Sequence, residues 1–312
     1  MNVVYTSGDD DLATVFVAEL SDGSKIEFVE SVQPPIPREE KWVFIVSTLK
    51  GCPVHCPICD AGTEYGGKLS ADEIMQQVEY MVRRRYPQGP VPVPKLKVQF
   101  ARMGDPAFNP AVIDALRELP KRIQAPGLLP SISTVAPVGC DSFFEELLCA
   151  KNSHYANTPF QMQFSVHTTD WQARRELVPV KTWSMEQMAA YGDRFYTPES
   201  RKITLNFAPP RGYELDPGAL YPLFSPERFL IKLTPINPTV TAEASGLESL
   251  IDPGDPDACR EVAARFTELG YDTILSIGEL RENHIGSNCG MYVGKVRARE
   301  KGDACVARTI AI

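Results

Sequence analysis

The chain has 312 residues, 43% hydrophobic and 23% charged, with a net charge of −8. That length and composition suit one large α/β domain, or two smaller ones, with a substantial core. The acidic balance lacks the Lys and Arg surplus that a groove along phosphate backbones requires, and no stretch approaches the roughly 18 apolar residues of a membrane span.

The N-terminus, "MNVVYTSGDDDL", is acidic and has no apolar run, so no secretory signal is expected. The expected location is cytoplasmic, where thiols stay reduced and clustered cysteines bind metals or catalyse. Residues 1–40 read as a small β-extension: "ATVFVAEL" and "SKIEFVESV" are strand-like around the turn "SDGS". The proline-rich "QPPIPREE" leads to the apolar strand "WVFIVSTL", which runs into "GCPVHCPICDAG".

From there strands and helices alternate. "LSADEIMQQVEYMVRRR" predicts a helix opened by a capping box of Ser70 and Glu73. Its end, Arg83 to Arg85, is either a local basic patch or a solvated helix end. Strands follow at "LKVQFARM", "LLPSISTV", "FQMQFSVHT", "RKITLNFAP", "RFLIKLTPI" and "YDTILSIG". Helices lie at "PAVIDALREL", "DSFFEELLCA", "SMEQMAAYG" and "DACREVAARFTELG", with a short one in "DPGALYPLF". About six β-α units with right-handed crossovers predict a parallel barrel, partial or closed, or an open wound sheet. In either, active sites collect at the C-terminal strand ends. "GDP", "SISTV", "SVHTTD" and "TPINPT" all sit there, and the cysteine loop follows the first core strand.

Cys52, Cys56 and Cys59 fall within eight residues of a chain with eight cysteines. A structural zinc site takes four ligands, and although His55 lies in the loop, it need not face the same centre. An iron–sulfur cluster is the other candidate; three thiolates would leave one iron open.

The CxxxCxxC spacing resembles that of the radical S-adenosylmethionine (SAM) enzymes, with Ile58 where an aromatic residue is usual. The order of "LSDGSKIEFVESV", "STLKGC", "LSADEIMQQV", "RMGDP", "SISTV", "SVHTTD", "RRELVPV", "TPINP" and "IGSNCG" resembles the RlmN/Cfr adenine-C2 RNA methyltransferases, from about residue 10 to residue 292. The resemblance implies an α/β fold, a partial (β/α)6 radical-SAM barrel over 41–280, with an active-site tail over 281–312. It implies a [4Fe-4S] cluster on Cys52, Cys56 and Cys59, whose open iron binds SAM. Gly104 and Asp105 match the pair that meets the SAM amino group. Ser133, Ser165 and His167 match positions along its carboxylate and ribose, and Asn237 one near the adenosyl part. Cys289 matches the cysteine that is methylated by one SAM and then loses hydrogen to the radical from a second. Glu30, with Glu27 an almost equal match, corresponds to a carboxylate near the acceptor. A flavodoxin or ferredoxin would supply electrons.

Three departures accompany the match. The family's second cysteine, seven residues before the cluster loop, is Ile45 here, and Cys140, Cys149, Cys259 and Cys305 are not aligned with it. A Gly-Asp-Asp run before the C-terminal cysteine is replaced by Glu282, Asn283 and His284. The family's N-terminal RNA-binding domain has no room in this sequence. The expected acceptor is therefore a small molecule, nucleotide or peptide, with RNA disfavoured. Two alternatives stand beside methyl or methylene transfer: direct hydrogen abstraction from substrate, and a non-catalytic metal-binding regulator.

Overall fold

The computed structural model describes residues 1–278, 280–286, 292–294 and 296. Its main sheet begins with three antiparallel strands, β1 (Asn2–Asp9), β2 (Ala13–Glu19) and β3 (Lys25–Ser31). β3 pairs antiparallel with β4 (Lys41–Val46), which starts the parallel part. A two-stranded ribbon of β5 (Leu49–Gly51) and β6 (Tyr65–Lys68) then brackets the cysteine loop. The parallel strands continue through β7 (Lys95–Phe100), β8 (Leu128–Thr134), β9 (Gln161–Ser165), β10 (Ile203–Phe207), β11 (Phe229–Leu233) and β12 (Asp272–Leu275). The order across the sheet is β1-β2-β3-β4-β7-β8-β9-β10-β11-β12. Each parallel strand pairs with its successor, as a partial barrel requires.

The expected partial α/β barrel is present, with two differences. The N-terminal β-extension has a third strand, β1, and is continuous with the barrel sheet through β3 and β4. The β5–β6 ribbon has no counterpart among the expected elements, because strands this short carry little periodicity.

The alternation along β4 explains the layering. Trp42, Phe44 and Val46 are fully buried on the helix side, against Ile74, Met75, Val78 and Met81 of the helix Ala71–Arg85. Lys41, Val43 and Ile45 face the other way, into the half-buried barrel interior. The same alternation in β7 puts Leu96, Val98 and Phe100 under the helices and Lys95, Lys97 and Gln99 inside. The capping box of Ser70 and Glu73 forms as expected. At the far end of that helix, Arg84 and Arg85 pair with Glu30 and Asp10, and Arg83 with Glu79, so the arginine run is neutralised by carboxylates. No helix among the described residues is long and apolar enough to cross a membrane.

Candidate active site

The cysteine loop is shaped by its glycines. Gly51, at the end of β5, has φ of +96° and lies so close to β6 that a Cβ would come within 1.6 Å of the Glu64 carbonyl oxygen. Only glycine fits this crossing, and it sets the direction in which Cys52 leaves the ribbon. His55 is exposed, and its Nδ1 lies against the Gly62 carbonyl, which makes it part of the loop's framework. The far side of the loop is stitched to the segment after β11. Asp60 accepts from the backbone of Val240 and Thr241, and Ser245 Oγ donates to the Pro57 carbonyl at 3.0 Å.

These constraints place the loop over the C-terminal mouth of the barrel, beside a cavity of about 410 Å³. Its wall contains Cys52, Cys56, Cys59, Gly104, Asp105, Ser133, Ser165, His167 and Asn237. Residues from four separate strand ends and the loop thus share one space, of a size suited to a small cofactor or substrate. Burial pushes the Cys52 thiol up to about 12 and raises Cys56 and Cys59 as well. A cationic centre bound between them would offset that burial cost by favouring the thiolates. Among the described residues, no three His, Cys, Asp or Glu side chains converge as ligands of a single ion. A trio of unpaired thiols around a roomy cavity fits a cluster-sized group.

Asp105 is held tightly. It accepts from Ala107 N at 2.9 Å, Thr134 Oγ1 at 2.8 Å and Val135 N at 2.6 Å. A carboxylate has about four acceptor positions, so one remains for a ligand. Burial raises its pKa to about 6 despite these bonds. Gly104 before it has φ of +88°, and a Cβ there would overlap Leu49. His167 is also left-handed, at φ 72°, and its Nδ1 accepts from Ala208 N at 3.2 Å. Burial, with the nearby Arg174 guanidinium, lowers its pKa to about 3, so the ring is neutral with its proton on Nε2.

Arg174 is a residue that sequence reading passed over. Its side chain is buried and donates to the carbonyls of Val135, Ser165 and Val166, tying the ends of β8 and β9 together. The only sequence signal was its place in "RRELVPV".

Two expected positions lie elsewhere. Glu30 is on the helix side of β3, accepting from Trp42 Nε1 and pairing with Arg84 and Arg85, and it is not among the residues that line the cavity. Its neighbour Glu27 has the other orientation. It pairs at 2.7 Å with Arg102, which does line the cavity. Cys289 lies outside the described residues, as does Cys305. Ile45, the position of the family's second cysteine, is on the cavity wall. Among the described residues, Cys140, Cys149 and Cys259 are not.

No family model matches the chain. It is 26% identical over 307 residues to the dual-specificity RNA methyltransferase RlmN of Marinobacter nauticus, covering 96% of this chain and 77% of that protein. A Frankia alni protein named "Probable dual-specificity RNA methyltransferase RlmN" is 28% identical over 310 residues, covering 95% of this chain and 68% of its own length. The fold matches a radical SAM methyltransferase from Sphaerobacter thermophilus with a TM-score of 0.70 at 20% identity, over 93% of this chain and 80% of the other.

Proposed function

We propose that this chain, a radical SAM enzyme related to the RlmN methyltransferases, transfers a one-carbon unit to a carbon centre, with Cys289 as the methyl carrier. The observation that carries the reading is the shared cavity of the three loop cysteines and the six strand-end residues matched to SAM. Cys52, Cys56 and Cys59 would hold the [4Fe-4S] cluster, which when bound would supply the one electron for cleavage of SAM to methionine and a 5′-deoxyadenosyl radical. The remaining acceptor position of Asp105 suits the SAM ammonium, and a charge-assisted bond there would orient the sulfonium. Neutral His167 offers an Nε2 proton to a ribose or carboxylate oxygen. Ser133, Ser165 and Asn237 supply further polar contacts.

The flanks of the Cys289 segment are fixed at the cavity wall. Arg102 Nη2 donates to the Gly286 carbonyl at 2.8 Å, and Glu27 Oε2 accepts from Tyr292 N and Val293 N at 2.8 and 3.0 Å. Residues three before and three after Cys289 are thus tied to one buried ion pair. This tether supports the reading of Cys289 as the carrier.

The acceptor we favour is a small molecule or nucleotide. The arginine run Arg83 to Arg85 is paired with carboxylates and does not offer a free basic track for RNA. The relatives' names favour a second acceptor, a base within RNA. With Ile45 on the wall, release does not use a thiol there. Flavodoxin or ferredoxin is the proposed reductant.

Anaerobic incubation of the cluster-loaded protein with methyl-labelled SAM tests the reading. Label on Cys289, lost in Cys289→Ala, is expected. Unlabelled protein and product, with 5′-deoxyadenosine formed equally by wild type and Cys289→Ala, would instead establish direct hydrogen abstraction.

A further inference from the structure

The half-buried interior of the barrel gathers lysines without matching carboxylates. Lys232 of β11 lines the cavity, next in register to Asn206 of β10. Lys97 of β7 stands two residues before the cavity-lining Gln99, on the same face and one step deeper. Lys41 and Lys95 pair in register below it, and Arg201 lies in the same group. Among the described residues neither Lys97 nor Lys232 has a carboxylate partner or a hydrogen bond. Lys202, by contrast, pairs with Asp272 at 2.6 Å. Burial, then the crowding of Lys232, Lys41, Arg201 and Lys95, pulls Lys97 well below the ordinary lysine range; burial lowers Lys232 too.

Other polar atoms in the same interior are also unpartnered. Asn206 Oδ1, Ser131 Oγ and Arg201 Nε are buried without a hydrogen bond. Asn206 is 8% exposed and lines the cavity; Ser131 is 1% exposed and pairs in register with Gln99. Buried polar groups are normally satisfied, and like charges are not normally gathered without a counterion. Several exceptions in one interior indicate a missing anionic, hydrogen-bonding partner.

We propose that the barrel interior beneath the strand-end mouth binds a phosphate monoester carried by the acceptor, with Lys97 and Lys232 as cationic partners and Asn206 and Ser131 as hydrogen-bonding partners. A monoester carries close to two negative charges and three terminal oxygens, which matches two lysines and two polar side chains. A carboxylate would balance one lysine. An RNA phosphodiester, also singly charged, would have to bring two chain ends into a pit whose walls are strands. The assignment deepens the proposed function by naming the acceptor class. Its test is one of binding, so a failed methyl transfer and a failed phosphate site give different results.

Equilibrium dialysis of radiolabelled orthophosphate against the cluster-loaded, SAM-saturated protein, at fixed ionic strength, provides that test. One saturable site per chain is expected, displaced by glycerol phosphate but not by acetate or by an RNA oligomer lacking terminal phosphates. Lys97→Met and Lys232→Met should each weaken phosphate roughly tenfold or more, and the exposed control Lys121→Met should not. Phosphate should raise the unfolding midpoint of wild type but not of the two lysine variants. Without phosphate the variants should unfold at or above the wild-type midpoint, since each lacks an unpaired charge. Absence of saturable binding, equal displacement by acetate or the RNA, unchanged affinity in both variants, or a lowered midpoint in both would overturn the proposal.

Discussion

Arg102 Nη2 lies 2.7 Å from Glu27 Oε1, with both side chains at most 1% exposed. This buried pair joins the N-terminal strands to the cavity wall and to both sides of the Cys289 segment. Attraction alone seldom offsets the desolvation of two such charges; the additional bonds to Gly286, Tyr292 and Val293 contribute to holding the pair. Glu27→Gln should therefore cost about 3–5 kcal/mol of stability, because the buried Arg102 guanidinium loses the opposite charge beside it. Denaturant titration measures the loss. Glu27→Gln combined with Arg102→Met should cost less than the sum of the single changes. Methyl label on Cys289 should fall in Glu27→Gln while iron content stays constant.

Replacing Gly51 by Ala should break the β5–β6 crossing. The added Cβ meets the Glu64 carbonyl in a backbone conformation that favours glycine. A stability loss of about 2 kcal/mol or more is expected. Iron retention after anaerobic reconstitution should fall further than the helical circular dichroism signal does, because the damage is local to the cysteine loop.

His167 gives a pH signature. Its folded pKa, about 3, is below the ordinary 6.5 of the unfolded chain. Between these values the unfolded state binds the extra proton. Stability is thus unaffected above pH 6.5, falls as pH drops from 6.5 toward 3, and levels off below. The slope from this one group is about 1.4 kcal/mol per pH unit. His167→Asn, which tolerates the left-handed backbone, should have a flatter stability profile between pH 6.5 and 4.5 in urea titrations. Parallel profiles for the two proteins would contradict the buried neutral imidazole.

The residues that meet at the mouth were legible because a parallel barrel brings strand ends together. Cys52, Asp105, Ser133, Ser165 and Asn237 each follow an apolar strand in the sequence, so their convergence needed only the βα alternation. The choice between Glu27 and Glu30 was not legible. They are three apart in one strand and face opposite sides, and the pattern of "KIEFVES" does not say which side the helices cover. Both are fully buried, each paired with arginine far away in sequence. Arg174 was hidden for the same reason: its partners are carbonyls at the ends of β8 and β9, which residue identity does not reveal. β1 alternates between exposed and half-buried positions, and its acidic, polar composition masked that period.

The central claim is that Cys52, Cys56 and Cys59 hold a [4Fe-4S] cluster with one iron open to SAM. Its most direct test is the EPR spectrum of anaerobically reconstituted, reduced protein, recorded with and without SAM. The account predicts a [4Fe-4S]⁺ signal that changes on SAM addition and disappears in Cys56→Ser. A spectrum indifferent to SAM, or protein that carries zinc and no iron, would contradict it.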